Sequence, residues 1–308
     1  MPNVWTHIDF AERVLAELGC LPSQQRLRTY LRLGAQGPDP FFYHRFWPWV
    51  KEKPAAAVGD KIHDEACGSF LMDMIERGAK EEENDALRWY ILGFITHHLL
   101  DRNAHPYINY RSGPEGAKHQ ELEFTIDTLW MAEKRQLKTW RVSVYKEIDV
   151  GAHLDASICV LLEDLVAKHF PDLASKMPEG YVDESYRDMV RALRFLQKFA
   201  GRKSRWLPAD ISALVFKPID SDVDFLNRKR TLWFDPTNND VSFNNSFDDL
   251  FEQAKREALE IVPNVLQYWE TANLEMLSVI REQLGNISYS TGKDCALGLK
   301  NLYYDPIL

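Results

Sequence analysis

The stretch Ile91–Tyr107, ILGFITHHLLDRNAHPY, places three histidines and one aspartate in a segment that is otherwise mostly apolar. Its apolar content predicts a buried helix. Because residues four apart share one face of a helix, His97 and Asp101 are predicted to point in the same direction, and His105 follows four residues later. Pro106 disfavours helical geometry in the residue before it, so His105 is predicted to lie just past the helix end, where it can still face the same cavity.

Helical periodicity continues on both sides of this stretch. HIDFAERVLAEL (7–18) has an apolar stripe, and QQRLRTYLRLG (24–34) ends at a glycine. AAAVGDKIHDEACGSFLMDMIERG (55–78) is predicted to form one helix, and KHQELEFTIDTLWMAEK (118–134) another. Asn84 is expected to cap the central helix, since its side chain can accept a free backbone N–H.

The second half of the chain carries fewer motifs. It contains ordinary amphipathic helices and a polar, Asn-rich stretch, FDPTNNDVSFNNSFDDL (234–250), which is predicted to be a loop. Ser246 is expected to cap a long closing helix. No sustained β alternation is found, so the fold class is predicted to be all-α, a multi-helix bundle with the metal site in its N-terminal half. Residues 1–150 are predicted to form a metal-binding catalytic region, on which residues 151–308 pack in one continuous domain.

Composition favours a soluble cytoplasmic protein. The chain has 308 residues, 45% of them hydrophobic and 27% charged, with a net charge of −9. This negative charge argues against stable binding to nucleic acid or to anionic membranes, which require clustered cations. The start MPNVWTHIDF lacks the basic and apolar stretches of a secretory signal, and no apolar run is long enough for a transmembrane segment. Four scattered cysteines are predicted to be reduced thiols. Nothing in the sequence predicts an oligomeric state.

A second pair of metal-binding residue types follows the first. His119 and Glu123 repeat the four-residue spacing, and Asp127 extends it. Imidazole and carboxylate groups on one helix face can offer two ligands to one divalent metal, so two such pairs suggest more than one ion. A single buried histidine is more often a core residue, but this combination within 27 residues favours metal binding. His98 points about 100° away from His97 and is expected to support the site or the core. Asp127 is equally consistent with binding a ligand side chain or the metal itself.

Three upstream residues extend the candidate site. His7 begins the first helix, Asp39 lies in the Gly/Pro loop GAQGPDPFFYH (34–44), and His63 lies on the predicted third helix. Each also has a structural interpretation: His7 and Asp39 as caps, His63 as an exposed residue. The aromatic run after Asp39 could line a mouth for acyl chains or a nucleobase, or it could be packing surface. The basic cluster NRKRTLWF (227–234) could contact phosphate or be a solvated surface.

The order His, Asp, His, HxxxD, His, HxxxE resembles the zinc-dependent phospholipase C family, which is related to fungal zinc nucleases specific for single strands. The segments MPNVWTHIDFAERVL (1–15), GAQGPDPFFYHRFWPW (34–49) and HHLLDRNAHPYINYRSG (97–113) are similar to bacterial cytosolic members. The resemblance covers roughly residues 1–150. It implies an all-helical fold and a phosphodiester hydrolase that activates water with a cluster of two or three zinc ions.

The resemblance also implies roles for individual residues. Asp39 corresponds to the general base that activates water. The substrate would be a small phosphodiester or phospholipid-like molecule, and other divalent transition metals would also suit these ligands. The implied ligand sets are His63, His97 and Asp101 for one ion, His105, His119 and Glu123 for a second, and His7 for a third, with Asp101 bridging.

Two alternative functions remain open at this point. In an HD-type phosphohydrolase, the adjacent His63 and Asp64 would bind metal together with a distal aspartate. That interpretation leaves His119 and Glu123 without a role. The other alternative is a non-catalytic helical module that binds metal.

Overall fold

A computed structural model describes residues 3–47, 49–81, 84–201 and 209–308. Met1 and Pro2 of the quoted opening segment lie outside these residues, and so does Pro48. The described residues contain fourteen α-helices, which confirms the predicted all-α class. They are α1 (Val4–Glu17), α2 (Gln25–Gly34), α3 (Pro40–Tyr43), α4 (Ala56–Asp64), α5 (Cys67–Lys80), α6 (Asp85–Ser112), α7 (Lys118–Lys134), α8 (Tyr145–Ile148), α9 (Ala156–His169), α10 (Pro171–Ala174), α11 (Tyr181–Leu196), α12 (Ala209–Ala213), α13 (Phe247–Thr271) and α14 (Leu274–Leu284).

Helix α6 is the centre of the molecule. It has 28 residues, corresponding to a length of about 42 Å, and most of its side chains are buried. Its neighbours are α1, α2, α5, α7, α9 and α13. A helix that is buried on all sides needs an apolar surface all round, which explains the nearly continuous apolar sequence around the histidines. The predicted cap is confirmed, because the Asn84 side chain accepts a hydrogen bond from the Leu87 N–H at 3.1 Å.

The prediction that His105 lies beyond this helix is wrong. Helix α6 continues through Pro106 to Ser112. A proline inside a helix removes one backbone hydrogen bond and costs about 3 kcal/mol. Tyr107 and Ile108, directly after it, are fully buried. Their tertiary packing outweighs the local preference of the proline. His105 therefore stays on the helical face that carries Asp101.

Residues 55–78 form two helices, and the prediction of one helix is wrong. Helix α4 ends at Asp64 and α5 begins at Cys67. Between them Ala66 has φ 53°, in the left-handed region that interrupts a helix. The carbonyl of His63 accepts a hydrogen bond from the Tyr289 N–H, at 2.9 Å. A segment from the far end of the chain therefore binds the last turn of α4.

Helix α2 packs very closely on α6. A Cβ atom on Gly93 would lie 2.2 Å from the carbonyl oxygen of Leu31, so only glycine permits this approach. The loop that follows α2 consequently lies against the middle of α6. Within it Gly37 has φ +52°, and a Cβ there would be 2.3 Å from the His97 ring. This packing places Asp39 beside the histidines of α6.

The second half adds helices around the same core and one small sheet. The strands β1 (Trp233–Asp235) and β2 (Asn238–Phe243) form an antiparallel hairpin, so part of the predicted loop 234–250 is sheet. Ser246 caps α13 as predicted, in a capping box with Asp249. Short 3₁₀ helices occur at Thr139–Arg141, Gln197–Phe199 and Cys295–Leu297. No helix in the described part of the chain has the length and apolar character needed to cross a membrane.

Candidate metal centre

Eight predicted site residues come together from four helices and one loop. In three groups of side chains, the potential ligand atoms lie within 4.8 Å of one another. The side chains come from α1, α4, α6 and α7 and from the loop just before α3. The groups are His7, His97 and Asp101; Asp39, His63 and His97; and His105, His119 and Glu123.

Asp101 belongs to the first group and also lies close to one histidine of each of the other two. One of its oxygens is 3.2 Å from Nε2 of His7, and the other is 2.9 Å from Nε2 of His97. Nε2 of His63 is 3.9 Å away and Nε2 of His105 is 3.8 Å away. The Asp101 side chain has no exposed surface. A single fully buried carboxylate is therefore surrounded by four imidazoles.

The carboxylate of Asp39 lies beside two histidines of this cluster. Its Oδ1 atom is 3.8 Å from Nε2 of both His63 and His97. The same residue lines a pocket beside the centre. Its position is compatible with holding a metal, with accepting a proton from a molecule in the pocket, or with both.

The third group is formed by His105, His119 and Glu123. Nε2 of His119 is 2.7 Å from Oε1 of Glu123, and Nε2 of His105 is 3.9 Å from the same oxygen. The spacing of four residues on α7 brings His119 and Glu123 to one face, as the sequence predicted. Because His105 is 3.8 Å from Asp101, this group is continuous with the other two.

Backbone carbonyls fix which nitrogen of three histidines faces the centre. Nδ1 of His97 contacts the Ala35 carbonyl at 3.0 Å, Nδ1 of His63 contacts the Gly59 carbonyl at 2.7 Å, and Nδ1 of His105 contacts a carbonyl at 2.8 Å. A carbonyl oxygen only accepts, so each Nδ1 carries the proton and donates. Each Nε2 is then left with its lone pair, as a metal ligand requires.

The protonation states of several groups also suit metal binding. Burial lowers the pKa of His7 and of His63 to about 4. Burial alone would raise the pKa of Asp101, but His105, His97 and His7 together hold it well below its usual value. His97 differs, because Asp101 and Asp39 raise its pKa in spite of its burial. Neutral imidazoles and an ionised carboxylate are the forms that bind metals.

Buried polar atoms that lack hydrogen bonds mark the middle of the centre. Among the described residues, no partner of suitable geometry is found for either oxygen of Asp101, for Nε2 of His97 and His105, or for Oδ1 of Asp39. A buried polar atom without a partner costs about 1–3 kcal/mol, so several together would be unfavourable unless another group binds them. Imidazole nitrogen and carboxylate oxygen are ligands that zinc accepts. The residues present therefore fit divalent cations.

The segment around Tyr289 contributes contacts to the centre that no sequence pattern predicted. The carbonyl that accepts from Nδ1 of His105 belongs to Tyr289, whose ring packs against His63 and His98 with centroids 5.1 and 4.5 Å away. The Ile287 carbonyl accepts from Nε2 of His98 at 2.8 Å, which gives His98 a supporting role. Every residue has a backbone carbonyl, so no sequence pattern could have predicted that those of Ile287 and Tyr289 bind these histidines.

Asp127 anchors the start of α1. Its carboxylate accepts hydrogen bonds from the N–H groups of Trp5 at 2.9 Å and Thr6 at 3.0 Å, and from the Thr6 hydroxyl. Asp127 is absent from the three candidate metal groups found among the described residues. Its carboxylate instead positions the helix end that carries His7.

We expect Asp127→Asn to loosen this helix end, because an amide nitrogen cannot accept the hydrogen bonds that the carboxylate oxygen accepts. The free energy of unfolding should fall by about 1–3 kcal/mol, and the His7 group should bind metal roughly 10-fold or more weakly. Urea unfolding and metal titration measure the two effects. Glu133→Gln, an exposed change on the same helix, is the control. Unchanged metal affinity in Asp127→Asn would contradict this role.

A pocket of about 580 Å³ opens beside the centre. His63, His105 and His119 lie along it, together with carboxylates such as Asp39 and Asp60. No lysine or arginine occurs among its described lining residues. The apolar part of its wall is formed by Val4, Phe42, Tyr43, Phe46, Phe124, Met189 and Leu214. Part of the predicted aromatic run therefore lines a mouth.

Two other features of the sequence have simpler roles. In the basic cluster 227–234, Arg228 pairs with Glu133 and Asp248, and Arg230 pairs with Asp249, so acidic side chains neutralise two of its three cations. Asp64 is exposed, accepts a hydrogen bond from the Ser288 hydroxyl at 3.0 Å and belongs to none of the candidate metal groups found among the described residues. Its position does not fit the HD-type arrangement.

The comparisons with known proteins agree with this geometry. The profile of the family described as zinc dependent phospholipase C matches residues 6–169, just over half of the chain. All eight side chains of the three groups lie inside this range, whereas Ile287 and Tyr289 lie outside it. No curated protein and no solved structure matches the chain.

Proposed function

The chain belongs to the zinc-dependent phospholipase C family, and from this premise we propose that it is a phosphodiester hydrolase acting in the pocket beside His63, His105 and His119. The observation that carries the proposal is that each of the three potential ligand groups has a histidine within 3.9 Å of one buried carboxylate, Asp101. Histidines that only fill the core would not need to gather around one buried carboxylate.

Two or three zinc ions are proposed as cofactors. His63 and His97, with Asp101, would hold one ion. Bound zinc ions would supply Lewis acidity towards phosphoryl oxygens and lower the pKa of water towards about 7. A second ion would be held by His105, His119 and Glu123, and a third by His7 with the shared Asp101.

The protein's own groups would orient the substrate and move a proton. Asp39 lines the pocket, and burial raises its pKa to about 7, in the range that suits a general base near neutral pH. We propose that this carboxylate takes the proton of the attacking water. The carbonyls of Gly59, Ala35 and Tyr289 would keep three imidazoles in a fixed orientation throughout the reaction.

The lining of the pocket favours one class of phosphodiester. Since its described lining residues include no cationic side chain, a polyanion such as nucleic acid would be repelled by Asp60 and Asp64. The wall that includes Phe42, Phe46 and Met189 would accommodate an apolar arm. We therefore propose a small, phospholipid-like diester with one negative charge as the substrate.

Hydrolysis of bis-p-nitrophenyl phosphate after reconstitution with zinc tests the proposal. Activity that depends on the added metal supports a hydrolase. Stoichiometric metal without activity with any divalent ion would support the non-catalytic module. Metal content in His119→Ala and Asp64→Ala separates the proposal from the HD-type alternative, because the proposal requires loss in His119→Ala and the HD-type alternative requires loss only in Asp64→Ala.

Asp39→Asn is expected to reduce kcat by roughly 10²–10⁴-fold, because the amide cannot accept a proton. The ion held by His105, His119 and Glu123 should remain, since Asp39 does not belong to that group. Steady-state kinetics and metal analysis of the same preparation measure both quantities. Asp60→Asn, which changes another carboxylate of the pocket, is the matched control. An unchanged kcat in Asp39→Asn would show that Asp39 is not the general base.

The same variant has a predicted effect on the chelated protein. Burial raises the pKa of Asp39 from 3.8 to about 7, so ionisation is less favourable in the folded state than in the unfolded state. The unfolded state therefore releases this proton first, and stability should decrease as the pH rises from about 4 to 7. Chelated Asp39→Asn should be more stable than chelated wild type at about pH 8, with the difference shrinking towards pH 4.

A cytoplasmic location is proposed as well. All four cysteines are free thiols in the structure, which fits a reducing compartment. Protein from cells grown in the absence of added oxidant should therefore react with four equivalents of an alkylating reagent after unfolding.

A further inference from the structure

Two of the four cysteines lie side by side next to the metal centre. The Sγ atoms of Cys67 and Cys295 are 3.3 Å apart, although the residues are separated by 228 positions in the sequence. Cys67 is the first residue of α5 and is fully buried, whereas Cys295 is half-buried at the start of the 3₁₀ helix Cys295–Leu297. The pair thus combines one solvent-accessible thiol with one protected thiol.

The backbone around this pair is held from both sides by Asn286. The Cys295 N–H donates to the Asn286 carbonyl at 2.8 Å, and the Asn286 side chain accepts from the Gly68 N–H at 3.1 Å. These bonds tie the residue after Cys67 to the segment that carries Cys295. The two sulfurs are therefore kept near each other by the fold.

The segment 286–295 also contacts the metal centre. Its Tyr289 carbonyl accepts from His105, and its Tyr289 N–H donates to the carbonyl of His63. On the other side of the pair, Cys67 follows His63 by four residues and contacts its carbonyl at 3.5 Å. A covalent bond between the two sulfurs would join the segment 286–295, which contacts His63 and His105, to the start of α5.

We propose that Cys67 and Cys295 are a redox-active dithiol, which hydrogen peroxide converts into a disulfide that locks segment 286–295 onto α5. The Cys295 thiol first attacks the peroxide, the O–O bond breaks, and a sulfenic acid and one water are formed. The Cys67 thiol then attacks the sulfenic sulfur, so that the S–S bond forms, the S–O bond breaks and a second water leaves. Two thiols lose two electrons and two protons in total, and the peroxide is reduced.

Peptide mapping of the full chain tests the disulfide. Reduced protein is treated with a few equivalents of hydrogen peroxide, alkylated, digested without reductant and analysed by mass spectrometry. The expected product is a cross-linked pair of peptides containing Cys67 and Cys295, lighter by two hydrogens and separated again by dithiothreitol. The variant Cys20→Ser/Cys159→Ser should still form the cross-link, and Cys295→Ser should not. Sulfinic acid at Cys295 without a cross-link, or a cross-link through Cys20 or Cys159, would overturn the proposal.

Thermal unfolding in the presence of a chelator tests the locking. A cross-link that closes a long loop restricts the unfolded chain, so the oxidised protein should unfold at a temperature several degrees higher than the reduced protein. Cys295→Ser should show no such difference. An unchanged or lower midpoint after oxidation would overturn the locking role. Because neither measurement uses bound metal or activity, the outcome is independent of the proposed hydrolase function.

Discussion

Replacing Asp101 with Asn is expected to remove at least one metal ion and to reduce phosphodiester hydrolysis by roughly 10⁴-fold or more, as for residues that act as a unit in catalysis. Asp101 has no exposed surface, and its two oxygens lie within 3.2 Å of His7 and His97. An amide of the same shape carries no charge and offers only one oxygen. The two proposed sites that share Asp101, one with His63 and His97 and the other with His7, should therefore both bind metal more weakly.

Metal analysis and kinetics on one preparation measure these effects. Asp60→Asn is the control, because Asp60 lines the same pocket and belongs to none of the candidate metal groups found in the described part of the chain. A far-ultraviolet spectrum like that of wild type would show that Asp101→Asn is folded. If folded Asp101→Asn kept its full metal content and its activity, the assignment of Asp101 as the shared carboxylate would be wrong.

Removal of metal by a chelator should lower the midpoint of thermal unfolding by roughly 10 °C. A ligand present at a thousand times its dissociation constant stabilises the folded state by about 4 kcal/mol. Each kcal/mol corresponds to roughly 2–4 °C for chains of 150–250 residues, and somewhat less for longer ones. The buried oxygens of Asp101 and Nε2 of His97 lack other hydrogen bonds among the described residues, so metal is the group that would satisfy them.

Calorimetry with and without chelator measures this shift, and re-addition of zinc should restore the original midpoint. Asp101→Asn provides the internal control, since a protein that has lost its shared carboxylate should respond much less to the chelator. An equal midpoint for loaded and chelated wild type would show that the cluster contributes nothing to stability.

The parts of the centre that the sequence predicted depend on local periodicity. The four-residue spacing on a helix places His97 with Asp101 and His119 with Glu123, and both pairs meet in the structure at 2.9 and 2.7 Å. The all-α class followed from the same periodicity. These relations are set by helix geometry, so they do not require knowledge of the tertiary fold.

The parts that the sequence did not predict depend on tertiary packing. The helix continues through Pro106 because buried neighbours outweigh the local preference. The break at Ala66 arises where a distant segment binds the end of α4. The anchoring role of Asp127 required knowing that the start of α1 lies beside it. None of these relations has a signature in the adjacent sequence.

We propose that both halves of the chain form one domain. Helix α13 packs on α1, α5 and α6, and α9 packs on α5 and α6. Limited proteolysis should then produce no stable fragment that ends near residue 150, and separately expressed halves should fail to fold.

The contacts of Tyr289 with His63 and His105 have a consequence for the order of events during translation. All candidate ligands have emerged from the ribosome once residue 123 has passed the exit tunnel, yet the carbonyl that orients His105 is made more than 160 residues later. In a nascent chain of intermediate length, the candidate ligands are therefore present before the carbonyl that orients His105. A stop codon between positions 124 and 288 would therefore release a polypeptide with every candidate ligand but without the carbonyl that orients His105.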